Sequence, residues 1–223
     1  VCDSHGVWFH VDAAMGGPML FSEKYRELLH GLDRADSMAW DFHKLIGMPL
    51  VCSVVLLHEP HRLQPAVVSS DTEYLFHDGG DDRYDLGVKS LQCGRRVDIL
   101  KLWLAWQYHG TLGWREKIEH LMDLAAHAEK KVRQSDSLVL AAPRQSISVC
   151  FQVKPPEEQG IDRFTIAVRN RLFKSGRALV NYTRLKDGRS VIRLVLANGD
   201  STTEDIDTFF DLLETTIREL SAT

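Results

Sequence analysis

The sequence lacks any close pair of cysteines: Cys2, Cys52, Cys93 and Cys150 lie far apart, with no C-x-x-C among them. That spacing excludes a zinc knuckle and a thioredoxin-like redox pair, and it fits reduced thiols in a cytoplasmic protein. No apolar run is long enough to span a bilayer, the longest being Pro49 to Leu57. Positive charge is not in excess either. The 27 Lys and Arg stand against 31 Asp and Glu, a net charge of -4, so the broad basic field that nucleic acid or an anionic membrane needs is missing. Neither is expected as a partner. No signal peptide opens the chain, and neither does a methionine; Val1-Cys2-Asp3 reads as a cut inside a longer protein or a processed end.

What is present describes an ordinary globular protein. The 223 residues are 44% hydrophobic and 26% charged, and a chain of this size buries roughly 70–75% of its unfolded surface. The first third alternates short apolar runs with polar segments, as a parallel sheet flanked by helices does. Strands are predicted over Val7–Asp12, Ala35–Trp40 and Cys52–Leu57, with a helix capped by Ser22, running to about Leu29 and ended by Gly31. Residues Glu59 to Ser90 hold Pro60, Pro65 and an Asp/Gly cluster at 78–82, the pattern of a long irregular segment of functional character. Two helices follow, Arg96–Tyr108 with Val97, Leu100, Trp103 and Leu104 on one face, and Trp114–Val132, joined at Gly110–Gly113. The last third is predicted as a small α+β domain: strands Ile147–Val153, Ala178–Tyr182 and Val191–Ala197, a helix Ile161–Phe173, and a final helix beginning in the Ser201–Glu204 cap region. The division falls near residue 115, giving domains 1–115 and 116–223.

Two segments carry chemistry. His10-Val11-Asp12-Ala13-Ala14 ends one predicted strand and Asp41-Phe42-His43-Lys44 follows another, and ligands of open α/β sheets collect beyond the carboxyl ends of strands. A partly desolvated lysine attacks a carbonyl to form an imine, the chemistry a pyridoxal cofactor requires. An aspartate facing the ring nitrogen keeps it protonated and makes the ring an electron sink. Ala14, two residues beyond Asp12 and on the same strand face, leaves room for a flat ring, and His43 is placed to donate to a phosphate. The residues themselves leave a plainer reading open, with Asp12 as a turn cap and Lys44 as a solvated charge.

Several separated motifs occur in one order: Trp8-Phe9-His10-Val11-Asp12-Ala13-Ala14-x-Gly16-Gly17, then Ala35-Asp36-Ser37, His43-Lys44 and Cys52-Ser53. This pattern resembles the group II pyridoxal-phosphate decarboxylases. Tyr74-Leu75-Phe76, Gln92-Cys93-Gly94-Arg95-Arg96-Val97-Asp98 and Arg193-Leu194-Val195-Leu196-Ala197-Asn198 are similar to the glutamate and cysteine-sulfinate decarboxylase branch. The resemblance implies the fold type I, transferase-like α/β architecture, here as a partial large domain with a mostly parallel sheet plus a C-terminal small α+β domain. It implies pyridoxal 5'-phosphate as cofactor and decarboxylation of a small acidic amino acid such as glutamate, aspartate or cysteine sulfinate. An aldehyde synthase or carbon–carbon lyase on the same scaffold, and a silent subunit, are the alternatives.

Position by position, the resemblance makes Lys44 the cofactor lysine, Asp12 the partner of the ring nitrogen, Ala14 a packing residue on the ring and His43 a phosphate neighbour. Tyr74 falls where the family's mobile loop carries the tyrosine that returns a proton after carbon dioxide leaves. Arg193 matches the arginine that binds the substrate carboxylate, and Cys93 lies in a segment that approaches the cofactor. The family's stacking histidine, main phosphate loop and dimerisation arm precede the segment matching Val1. The implied partners are therefore a second copy in a homodimer or a complementary N-terminal half, with this chain a fragment, a truncated product or a subunit of a split enzyme. One departure stands at the site: many relatives have Asn-Pro before His-Lys, where this chain has Asp41-Phe42. A carboxylate beside a phosphate is unfavourable unless it turns away or is neutralised.

Overall fold

Ser37-Met38-Ala39-Trp40 carries side chains that bury on both faces, and this makes it the central strand of a three-stranded sheet in a computed structural model of the chain. Residues 1–59, 61–63, 65, 87, 90, 92, 94–156 and 160–222 are described. The strands are β1 (His10–Asp12), β2 (Ser37–Asp41) and β3 (Ser53–Leu57), in the order β1-β2-β3. β1 runs parallel to β2, with His10 opposite Ser37 and Asp12 opposite Ala39. β3 runs antiparallel, with Asp41 opposite Ser53 and Ser37 opposite Leu57. Met38 and Trp40 are buried while Val55 and Leu56 of β3 are exposed, so the sheet is covered at its centre and open at that edge.

The predicted helix after Ser22 is instead a string of turns with two short 3-10 segments, Arg26–Leu29 and Leu32–Arg34. Its Leu28 is 57% exposed, and an eight-residue segment without a buried face does not repay helix nucleation. Gly31, at φ 85°, stands between the two segments. A single helical turn, α1 (Cys2–His5), opens the chain and ends on Gly6 at φ 60°.

The two helices predicted after residue 96 form one run, α2 (Asp98–Gln134), interrupted at Gly110 with φ 63° and ψ 177°. That conformation is open to glycine and costly for other residues. Beyond the interruption Trp114, Ile118, Leu121, Leu124, Ala125, Ala128 and Val132 are all buried, as the periodicity predicts. Before it, the expected apolar face is not buried: Val97, Leu100, Trp103 and Leu104 are exposed. The buried side chain there is Leu102, and Trp106 packs edge-on against Phe21 at 5.2 Å.

The chain divides into two units, Val1–Leu112 and Gly113–Thr223. The second holds an antiparallel sheet of β4 (Leu138–Leu140), β5 (Ser148–Val153), β6 (Asn181–Arg184) and β7 (Ser190–Val195), ordered β4-β5-β7-β6. Helices α3 (Ile161–Lys174) and α4 (Thr203–Ser221) complete it, α3 packing on β5, β7 and α4. Phe151, Phe164, Leu172, Ile192 and Leu213 are fully buried. Thr202 and Asp205 form a reciprocal capping box at the start of α4, so the predicted cap region is where the helix begins. β6 begins at Asn181, three residues beyond the predicted start, and the Val180 carbonyl just before it accepts from Arg169 Nε at 2.8 Å. The short β4 carries no periodic signal and was not predicted.

Candidate active site

Lys44 is presented by a turn whose other members are packed inward. Trp40 and Phe42 stack with ring centroids 4.8 Å apart at 19°, and Leu45 and Ile46 are fully buried. The Lys44 amide donates to the Asp41 carbonyl (3.1 Å), Gly47 to Lys44 (3.0 Å) and Met48 to Phe42 (3.0 Å). The lysine side chain is left 37% exposed. Trp40 is itself seated against Gly17, where a Cβ would stand 2.8 Å from the indole ring; the Gly-Gly of the first motif is a close approach of backbone to an aromatic ring.

Asp12 closes β1. Its Oδ1 accepts from the Ala14 amide at 3.0 Å, a turn in which the aspartate side chain mimics a backbone carbonyl. The strand stops there, so Ala14 stands in a turn and does not continue the strand face of Asp12, as alternation had placed it; it remains half-buried. The Ala14 carbonyl accepts from the Asp41 amide at 3.3 Å. Asp12 and the Asp41–Lys44 turn therefore sit at the carboxyl ends of neighbouring parallel strands.

Asp41 is the hub of this end of the sheet. Its Oδ2 lies 2.8 Å from Lys44 Nζ and 3.9 Å from His43 Nε2, and its Oδ1 accepts from Ser53 Oγ at 2.5 Å. The hydrogen bonds from Lys44 and then Ser53 hold its carboxyl below the usual carboxylate value of 3.8. The carboxylate is thus neutralised by Lys44. His43 Nδ1 lies 3.2 Å from the Cys52 amide nitrogen and 3.4 Å from Ser53 Oγ. Nδ1 also lies 3.1 Å from the Cys52 carbonyl oxygen: a ring protonated at Nδ1 donates to that carbonyl, and a ring protonated at Nε2 accepts from the amide. Asp41 and Ser53 as a pair were missed by the sequence reading. The signal that finds them is the β2–β3 register, which sets the two directly opposite.

A groove of about 770 Å³ runs between Cys52–Val54 and Arg95–Ile99. It meets the cluster at Cys52 and Ser53, and Asp12 and Lys44 are not among its lining residues. Burial raises the Cys52 thiol above its usual value, so this cysteine is a packed thiol and not an activated one. Arg193 is exposed on β7 in the second unit, opposite Cys150 of β5 and Asn181 of β6. Tyr74 and Cys93 lie outside the described residues. Among the described residues no group of His, Cys, Asp and Glu could hold a metal ion.

The donor set at the strand ends fits a pyridoxal group: an amine for its aldehyde, a carboxylate for a ring N–H and an imidazole N–H for a phosphate oxygen. The Pyridoxal-dependent decarboxylase conserved domain matches residues 1–154. The chain belongs to the pyridoxal-dependent decarboxylase family. This decarboxylase-family chain is 35% identical over 226 residues to the human cysteine sulfinic acid decarboxylase, covering 96% of the chain and 46% of the relative. It is 32% identical over 232 residues to an acidic amino acid decarboxylase of Xenopus tropicalis, covering 99% and 45%. The crystal structure of mouse CSAD superposes with a TM-score of 0.85 at 33% identity, covering 97% of the chain and 47% of that structure. The fold is that of the fold type I decarboxylases. The chain spans about half the length of the curated relatives it matches.

Proposed function

We propose that this chain serves in a pyridoxal-phosphate-dependent carboxy-lyase that converts a small acidic amino acid, such as cysteine sulfinate, glutamate or aspartate, to its amine and carbon dioxide. The observation that carries the reading is the placement of Asp12 and Lys44 at the carboxyl ends of neighbouring parallel strands, in a chain of a pyridoxal-dependent family. The acidic substrate is supported by the relatives, which are named for cysteine sulfinic acid and for acidic amino acids. Residues 1–115 belong in this reading to the cofactor-binding domain and 116–223 to the small C-terminal domain. A cytoplasmic homodimer is part of the same reading.

Pyridoxal phosphate, when bound, supplies an aldehyde that takes up an amine and a ring that withdraws electrons from the substrate's alpha carbon. Lys44 would hold the aldehyde end of the group through Nζ, which must first give up its ammonium proton to solvent. The Asp12 carboxylate would accept a hydrogen bond from a protonated ring nitrogen, a charge-assisted pair, and the small Ala14 would leave room beside it for a flat ring. His43 offers an Nε2 proton to a phosphate oxygen, and Cys93 belongs to the same binding set. Tyr74 returns a proton to the alpha carbon, and the planar fork of Arg193 matches a substrate carboxylate.

The test is direct. The enzyme containing this chain, with any complementary N-terminal half supplied, is incubated with pyridoxal phosphate and each of the three acids, and carbon dioxide and amine are measured together. Equal yields of both are expected, with loss of both in Lys44→Ala. Release undiminished in Lys44→Ala overturns the assignment, and aldehyde in place of amine overturns the reaction type.

A further inference from the structure

The Asp41–Lys44 contact has no role in the chemistry above, and it opposes that chemistry. We propose that Asp41 is a positioning residue that restrains Lys44: by holding the ammonium it competes with aldehyde capture and makes that capture depend on pH and salt. The inference rests on the proposed role of Lys44.

Three observations carry it. Lys44 Nζ lies 2.8 Å from Asp41 Oδ2, the distance of a charge-assisted hydrogen bond. Asp41 is fixed independently of the lysine, because Ser53 Oγ holds its other oxygen at 2.5 Å from the neighbouring strand. The backbone of the turn is fixed as well, by the buried Phe42, Leu45 and Ile46 around Lys44. The lysine can therefore leave the carboxylate only by moving its own side chain. His43, 3.9 Å away at Nε2, is the other titratable group facing Asp41; protonated, it shares the carboxylate and loosens the hold on Lys44.

The chemistry sets the direction of the effect. An ammonium has no lone pair to offer. Nζ must release one proton to solvent and leave Asp41; its lone pair then bonds to the aldehyde carbon, and the aldehyde oxygen departs as water with the two protons that remained on Nζ. A carboxylate that stabilises the protonated, paired lysine slows the first of these steps. Lys44 is partly exposed, so the restraint is that of a half-screened ion pair, worth about a two- to fivefold change in rate.

The experiment uses the full chain, with pyridoxal phosphate as the probe. Brief exposure is followed by borohydride reduction, and peptide mapping compares the label on Lys44 with that on the exposed Lys174 between about pH 6 and pH 10, where lysine passes from largely protonated to partly free. Asp41→Asn is expected to raise the Lys44 rate about two- to fivefold, by the same factor wherever lysine is mostly protonated, with the gap beginning to narrow only as pH nears about 10. Asp41→Glu, which keeps the charge, should restore the wild-type profile. A second measurement needs no variant: about 1 M salt shrinks the screening length to roughly 3 Å, and it should speed Lys44 labelling in the wild-type chain but not in Asp41→Asn. Equal Lys44 rates in wild type and Asp41→Asn at every pH, with no response to salt, would overturn the restraint while leaving Lys44 as the cofactor lysine. Absence of label on Lys44 in both chains, with Lys174 labelled, would overturn the functional reading and this inference together.

Discussion

The two units of this chain spend their apolar residues differently. In Gly113–Thr223, strands and helices bury nearly everything large, and among the described residues only Phe173, Leu179 and Tyr182 stand out as exposed large hydrophobics. In Val1–Leu112, Trp8, Leu50, Val51, Val55, Leu56, Leu100, Trp103 and Tyr108 are all exposed. The elements differ in the same direction. The second unit holds a four-stranded antiparallel sheet, helices of 14 and 19 residues and the buried later part of α2, while the first has three short strands, 3-10 turns and the exposed early part of α2. The lesson is that the proposed cofactor residues Asp12, His43 and Lys44 lie in the less self-sufficient unit. Its lysine is held in place by a few aromatic and aliphatic contacts around one turn, not by a deep core.

The sharpest way to break this comparison is to remove one large side chain from each unit. Phe151→Ala, in a fully buried site that packs on Phe210, should cost about 3–5 kcal/mol. Leu100→Ala, 49% exposed, should change stability by no more than about 0.5 kcal/mol. Urea unfolding followed by segment-resolved hydrogen exchange reads each unit separately, and equal losses would show that the exposed face is buried in solution.

A smaller effect is expected where the first unit is tight. Gly17→Ala forces a methyl to within 2.8 Å of the Trp40 ring, an overpacking that costs about 1–3 kcal/mol. Because Trp40 stacks on Phe42 beside Lys44, the substitution should also disturb the cofactor turn, seen as a shift in Trp fluorescence. An unchanged spectrum and midpoint would mean that the turn is supported elsewhere.

The smallest effects lie in the capping and acid titration of the two units. Thr202→Ala removes the cap of α4 and should cost about 1 kcal/mol, read from the urea midpoint. Hydrogen bonds from Thr202 hold the Asp205 carboxyl below its usual value of 3.8; Lys44 and Ser53 do the same for Asp41. In both cases the folded value lies below the unfolded one, so the unfolded chain takes up the proton first as pH falls. The stabilisation is complete above the ordinary carboxylate range and is lost as pH drops through the folded value. Urea midpoints measured from about pH 5 downward should therefore fall, less steeply in Thr202→Ala for the second unit and in Asp41→Asn for the first.

Much of the architecture was legible because it rests on local periodicity. The alternation of Ile147–Val153, the spacing of Trp114, Ile118, Leu121 and Leu124, and the Ser201–Glu204 cap region each need only neighbours in sequence. The segment after Ser22 was misread for the complementary reason: Leu28 and Leu29 have helical spacing, but helix formation depends on a packing surface that the segment does not meet. The candidate site was legible at Asp12 and at His43-Lys44, whose residue types announce their chemistry at strand ends. Ser53 was not legible, because a serine acquires meaning at Asp41 only through the register of β3 on β2.

The order of residues along the chain marked the candidates for chemistry here: an amine at 44, a carboxylate at 12 and an imidazole at 43, each singled out by its kind and its place after an apolar run. Which of those groups hold one another was decided by folding. Hydrogen bonds and ion pairs act over about 3 Å, and only the pairing of strands far apart in sequence brings Ser53 to Asp41 and leaves that carboxylate bound to Lys44.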